Sequence, residues 1–240
     1  MADQEVIKHT KKIYKIWNSE AHGFWYKAKE FVLEILIIVF AVSLSIWLHG
    51  RSEHTHQQKD VKDFLLGLEA DLKSDLQEMK EDRATYQRSG MAFKYLRSLK
   101  RNETANADSI YMYANVLFNT TGLLPNNSRY EGFKSSGKIG TIENKELQNE
   151  IVDLYQDNIP ILISFTNYYN EGKRSLNSYF NKNLKRLSDS TTNFNAVMAT
   201  DEAYNIAGDL NNVKNIIKQY DKCINNIDKI KKLIDKEYNQ

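Results

Sequence analysis

Apolar residues follow two patterns in this chain, one continuous and one periodic. Between Phe31 and Leu48 (FVLEILIIVFAVSLSIWL) they run for 18 residues with a single charge, Glu34. At 1.5 Å per residue the run covers roughly 27 Å, close to a hydrocarbon core of about 30 Å, and it predicts one membrane-crossing helix. The next apolar stretch, Ile159 to Phe165 (IPILISF), is too short to cross and contains Pro160. Beyond the run, apolar residues recur at Val61, Leu65, Leu68, Leu72, Leu76 and Met79, then at Tyr86 and Phe93. Steps of three and four with charges between them mark one face of a long helix. No proline lies between the run and Gly90, and Gly50 and Gly67 are isolated, so the span and this helix are expected to be continuous.

Further along, Asp108 or Ser109 is placed to cap a helix carrying Ile110, Tyr113, Leu117 and Phe118. Gly122 to Ser128 (GLLPNNS) is the clearest loop. Ser128-Arg-Tyr-Glu131 has capping-box spacing and opens a short helix that stops near Gly137. Asn144 caps the next helix, with Leu147, Ile151, Leu154 and Tyr155 on one side; Pro160 is expected to kink it before it resumes to Leu187. Residues 188–200 read as a loop. The last helix, Asp209 to about Tyr238, carries Leu210, Val213, Ile217, Tyr220, Ile224, Ile227, Ile230 and Ile234. No strand alternation competes with these patterns. The fold class is therefore all-α: a basic tail (residues 1–30), a transmembrane helix (31–48) and a helical domain (49–240) packed as an antiparallel bundle.

Composition supports helices, with two prolines and ten glycines in 240 residues. Residues 1–30 hold six lysines against four acids. Residues 49–240 hold 27 basic and 26 acidic side chains, a balance that lacks the excess a nucleic-acid binder needs. The single cysteine, Cys223, excludes an internal disulfide and a cysteine-based zinc site. It falls on the apolar stripe of the last helix and is expected to be buried there.

The tail before the run is too long for an ordinary signal-peptide n-region, and the small pair Ser43 and Ser45 lies inside the run, so an uncleaved anchor is expected. Lys11, Lys12, Lys15, Lys27 and Lys29 precede the span; Arg51, Lys59 and Lys62 follow it. This balance favours a cytoplasmic N-terminus and an external helical domain. Trp25, Tyr26 and Trp47 mark the two ends like an aromatic belt. Residues 5–17 (EVIKHTKKIYKIW) read either as an amphipathic helix on an anionic leaflet or as a basic tail serving only as a topology signal.

Candidate chemistry is sparse. Gly132-Phe-Lys-Ser-Ser-Gly137-Lys138-Ile139 approaches the P-loop pattern, but Ile139 replaces the magnesium-binding hydroxyl and no buried strand precedes it. The blander reading makes Ser135 to Gly140 a helix end, with Gly137 in the left-handed conformation. Arg51 and His56 have the R-x4-H spacing of helical ribonucleases of the HEPN type, yet they sit beside the span in a chain without a basic RNA face. His49, His54 and His56 are spaced five and two, not the four that helical metal ligands want. No nucleophile and base pair with recognisable spacing occurs, and neither an enzyme activity nor a cofactor is expected. Glu34 has two readings, an interfacial carboxylate reaching the headgroups or a functional or oligomer-facing charge inside the span. Ala41 and Ser45 form a small-xxx-small pair that lets two spans approach, and with the heptad-like stretch Val61 to Met79 they point to a homo-oligomer.

Two stretches carry a resemblance. Glu34 to Trp47 (EILIIVFAVSLSIW), followed by a charged helix with Leu65, Leu68, Leu72 and Leu76, resembles an uncharacterised family of single-pass bacterial membrane proteins. Tyr130 to Ile139 (YEGFKSSGKI), with Ile142, Asn144, Leu147 and Tyr155, is similar to that family's middle motif. The Asn-Asn-Trp expected after the span reads His49-Gly50-Arg51 here. The resemblance implies a single-span bacterial membrane protein with a helical domain and no assigned activity; with the lysine balance, the expected place is the bacterial inner membrane with the helical domain in the periplasm. It marks Glu34, Ser135, Ser136, Gly137 and Lys138 as candidate functional residues. The expected partners are membrane lipid and a second copy or other membrane proteins, and no nucleic acid.

Overall fold

The computed structural model describes residues 2–17, 23–100, 103–188 and 191–238. It divides into two units, Met1–Asp60 and Val61–Gln240. The chain is all-α: apart from one isolated bridge between Arg186 and Thr192, no strand pairing occurs among the described residues.

In the first unit, α1 (Ala2–Trp17) precedes the start of α2 (Phe24–Ser98). Helix α2 is unbroken over 75 residues, as the lack of proline predicts. Within the apolar run nearly every large side chain is exposed, Phe40 at 69% and Ile46 at 67% among them.

The second unit buries the periodic stripe of α2 (Val61, Leu65, Leu68, Leu72, Met79, Tyr86, Phe93) in one continuous core. Its other members are α3 (Ala107–Phe118), α4 (Ser128–Ser135), α5 (Lys145–Asp153), α6 (Ile159–Asn183), α7 (Phe194–Met198), α8 (Asp201–Leu210) and α9 (Lys214–Tyr238). Helix α9 contributes Ile216, Tyr220, Cys223, Ile227, Ile230 and Ile234, all buried. It runs antiparallel to α2, with Asp221 beside Arg83 and Tyr238 beside Lys62. It is also antiparallel to α5, where Lys229 meets Glu150 and Glu237 meets Asn144. Helices α2 and α6 run in the same direction, since Tyr86 packs on Tyr169 and Ser89 meets Lys173. The limb that returns between them is α3 followed by an extended strap, residues 119–127.

Local chemistry explains most boundaries, and several differ from the sequence expectation. The cap of α3 is Asn106, whose side chain accepts from the Ser109 N–H, so it lies two or three residues ahead of Asp108 and Ser109. Ser128 is the first helical residue of α4, not its cap; the N-cap is Asn127, without a side-chain bond, and the capping box does not form there. Gly137 ends this region as expected, at φ 73° in the left-handed well, before a single 3₁₀ turn over Lys138–Thr141. Asn144 caps α5 by accepting from Leu147 N–H at 3.0 Å. The helix is interrupted ahead of Pro160. A π-helical turn, Leu154–Asn158, absorbs the change of register ahead of it, and Pro160 lies in the first turn of α6, where a missing N–H costs little. Helix α6 stops at Asn183, short of Leu187. The 188–200 loop contains α7. The last helix starts at Lys214, not Asp209; Asp209 and Leu210 end a separate helix, α8, that the sequence reading did not contain, and residues 211–213 break the two.

Candidate functional site

Glu34 is the one carboxylate in the apolar run, and it is completely buried. A charge there needs a partner, because desolvation of an isolated carboxylate is costly. The partner is Lys12 of α1, whose ammonium bonds the Glu34 carboxylate. This contact raises the Lys12 pKa above its ordinary value. Neither reading from the sequence contained this pair: Glu34 is buried beside the chain's own N-terminal helix. Nothing in the spacing of one helix announces a partner 22 residues upstream. The amphipathic character of residues 5–17 was the available signal.

The other candidate positions lie apart from Glu34 in the fold. The Ser135 hydroxyl turns back to the Glu131 carbonyl, and Ser136 Oγ donates to the Phe133 carbonyl at 2.8 Å. After Gly137 comes one 3₁₀ turn, not the helix N-terminus that holds phosphate in a P-loop. Ala41 and Ser45 are both exposed, and Ser45 Oγ donates to the Ala41 carbonyl at 2.8 Å. His49, Arg51, His54 and His56 are exposed on α2, with the Arg51 guanidinium 5.6 Å from the Trp47 ring centroid. Among the described residues no three His, Cys, Asp or Glu side chains gather as a metal site.

The bundle holds a second polar arrangement that the sequence did not disclose. Asp71, Asp75, Glu78 and Asp82 step along α2 at four, three and four residues, one helical face. Each accepts from the strap or from the start of α4 that follows it. Asp71 takes Arg129 Nε at 2.8 Å, and Asp75 takes the backbone N–H and side-chain amide of Asn126 at 3.1 and 2.7 Å. Glu78 takes the Leu124 N–H at 3.0 Å, and Asp82 takes the Thr121 hydroxyl. The acidic ladder thus fixes an antiparallel register for a segment with no regular structure of its own. Burial raises the Asp75 pKa, opposed by its two Asn126 bonds.

Behind the strap, Tyr86 and Tyr220 converge on the same point. Tyr86 Oη donates to the Thr121 carbonyl at 2.7 Å, and Tyr220 Oη donates to Asp82 at 2.9 Å. Asn170 Nδ2 adds a second bond to the Thr121 carbonyl at 2.8 Å. Lys173, 1% exposed, reaches the Asn119 carbonyl at 2.7 Å and Ser89 Oγ at 3.2 Å. Asn119 is the C-cap of α3, so a buried cation meets the negative end of a helix. Desolvation still lowers the Lys173 pKa to about 8. The Cys223 thiol, also buried, is pushed up to about 12 and is unreactive as a nucleophile in the folded chain.

No family model, curated protein or solved structure matches this chain. The functional reading therefore stands on the geometry above.

Proposed function

We propose that this chain is a single-span membrane protein whose helical domain works by holding partners, as a scaffold, sensor or accessory subunit of an envelope complex, without catalysing a reaction. One observation carries the reading. Only 6% of the most apolar 18-residue window of α2 is buried by the chain's own fold, so that surface needs lipid or other helices around it. The polar groups of the bundle support a binding role, because the buried carboxylates Asp75 and Asp82 are spent on fixing the strap. The lysine balance supports a cytoplasmic N-terminus and an external helical domain, and the resemblance implies the bacterial inner membrane. Purification in mild detergent tests the reading: the protein is expected as an oligomer or with a bound partner, and a lone monomer contradicts it. Fusion of alkaline phosphatase to Gln240 tests orientation. Activity in intact cells supports the external placement, and a silent phosphatase with a fluorescent cytosolic counterpart reverses it.

A further inference from the structure

The lysines of α1 are not scattered. Lys8, Lys11, Lys12 and Lys15 stand at i, i+3, i+4 and i+7, which places them within an arc of about 100° on one face. All four are exposed, and Lys12 bonds Glu34. Glu34 lies three residues past Phe31, about 4.5 Å along the helix, so the bonded part of α1 is level with the start of the apolar run. The same end of α2 exposes Phe24, Trp25 and Tyr26, at 69%, 85% and 49%, the residue types that mark a membrane interface. Ile7 and Tyr14, 54% and 73% exposed, flank the lysine arc on one side. In water these apolar groups gain nothing; at a headgroup and acyl boundary they are buried while the lysines beside them meet phosphate.

We propose that Lys8, Lys11 and Lys15 form a docking surface for anionic phospholipid headgroups, with the Lys12–Glu34 pair tethering α1 beside the point where the span enters the bilayer. The inference rests on the membrane-anchored reading and adds to it a lipid class and a site. Charge complementarity fixes the occupant: three cations beside exposed apolar side chains, held at headgroup level, fit a negatively charged lipid surface. At about a five-fold gain in interfacial partition for each lysine, three lysines change it by about a hundred-fold.

Power-saturation electron paramagnetic resonance on the full chain tests this. A nitroxide is placed at Tyr14→Cys, and the protein is reconstituted in phosphatidylcholine alone or with phosphatidylglycerol. Cys223 is buried and is left in place. Adding anionic lipid is expected to move the label from nickel-accessible to oxygen-accessible. The K8Q/K11Q/K15Q variant is expected to keep the water-exposed signal until much more anionic lipid is present. A label that behaves alike in both lipids overturns the proposal, as does a triple variant indistinguishable from wild type. A label immobilised without gaining oxygen access also overturns it, because the face then meets protein. A control label at Leu44→Cys separates the two readings. Oxygen access there with no response at position 14 leaves the anchor standing and removes the lipid site, whereas nickel access at position 44 removes the anchor itself.

Discussion

Lys173 offers the sharpest test of how the bundle tolerates its buried charge. Its folded pKa of about 8 lies below the unfolded value of 10.5. Charging Lys173 therefore opposes folding: the associated stability is present above pH 10.5 and is lost as pH falls through 8. At pH 7 the deficit is about 3 kcal/mol. Raising the pH from 7 to 9 relieves about 1.4 kcal/mol of it, since the folded lysine then becomes mostly neutral while the unfolded one stays charged. Lys173→Met removes this dependence. It also leaves the Asn119 carbonyl without its bond, a loss of about 1–3 kcal/mol that offsets the relief from desolvation. The variant is thus expected within about 2 kcal/mol of wild type at pH 7, and to fall behind by a further 1.4 kcal/mol or about that at pH 9. Trp17, Trp25 and Trp47 all precede the bundle, so tryptophan fluorescence does not report on it. Urea titration with a saturating alkylation pulse at Cys223 does, because that single thiol is buried in α9. With a slope of about 2 kcal/mol per molar urea, the wild-type midpoint should rise by about 0.7 M relative to the variant between pH 7 and 9. Titration of Cys223 and of the buried tyrosines is common to both proteins and cancels. Equal pH responses in the two proteins would refute the argument.

Tyr220→Phe removes the donor to a buried carboxylate and should cost about 2 kcal/mol in the same urea assay. Tyr155 Oη is buried with no protein partner among the described residues, so Tyr155→Phe is expected within about 0.5 kcal/mol of wild type; equal losses for the two variants would contradict the hydrogen-bond assignment. Asp82→Ala orphans both Thr121 and Tyr220 and should cost about 3 kcal/mol, with faster hydrogen exchange along the 119–127 strap than at α9. A Cβ at Gly90 would lie 2.6 Å from Val213 Cγ2, so Gly90→Ala should destabilise by about 1–3 kcal/mol. A Cβ at Gly67 meets only the flexible Arg129 guanidinium, so Gly67→Ala should cost less than about 1 kcal/mol, the worth of the exposed Arg129–Asp71 pair; a reversed order for the two glycines would show that the backbone packs differently.

Periodicity carried much of the fold. The stripe Val61 to Met79 is buried where steps of three and four place it; in the second stripe, on the last helix, Tyr220, Ile227, Ile230 and Ile234 are buried, whereas Ile217 and Ile224 are only partly so and Ile216 and Cys223 take the inner positions. Cys223 lies in the second stripe, as its position between Tyr220 and Ile227 required. What periodicity missed has physical causes. The break between α8 and α9 contains neither glycine nor proline, only Asn211 and Asn212, and Val213 stays buried across it, so the apolar pattern runs on while the helix does not. The strap looked like an ordinary loop because its register is dictated by carboxylates on another element. Asp71, Asp75, Glu78 and Asp82 are ordinary charges between apolar positions of α2 by sequence, and only their partners set them apart. Lys12 and Glu34 are likewise one fact divided between two segments. Gly137 was legible because a positive φ has a local signature.

Alkaline carbonate extraction of the full chain, compared with an I37K/F40K variant, tests the central claim most directly. Both positions are exposed on the apolar run, and each lysine near the middle of a span opposes insertion by about 3 kcal/mol. The account predicts that wild type stays in the membrane pellet and that the double variant is released into the supernatant. Release of wild type, or retention of both proteins alike, would contradict a membrane anchor at Phe31 to Leu48.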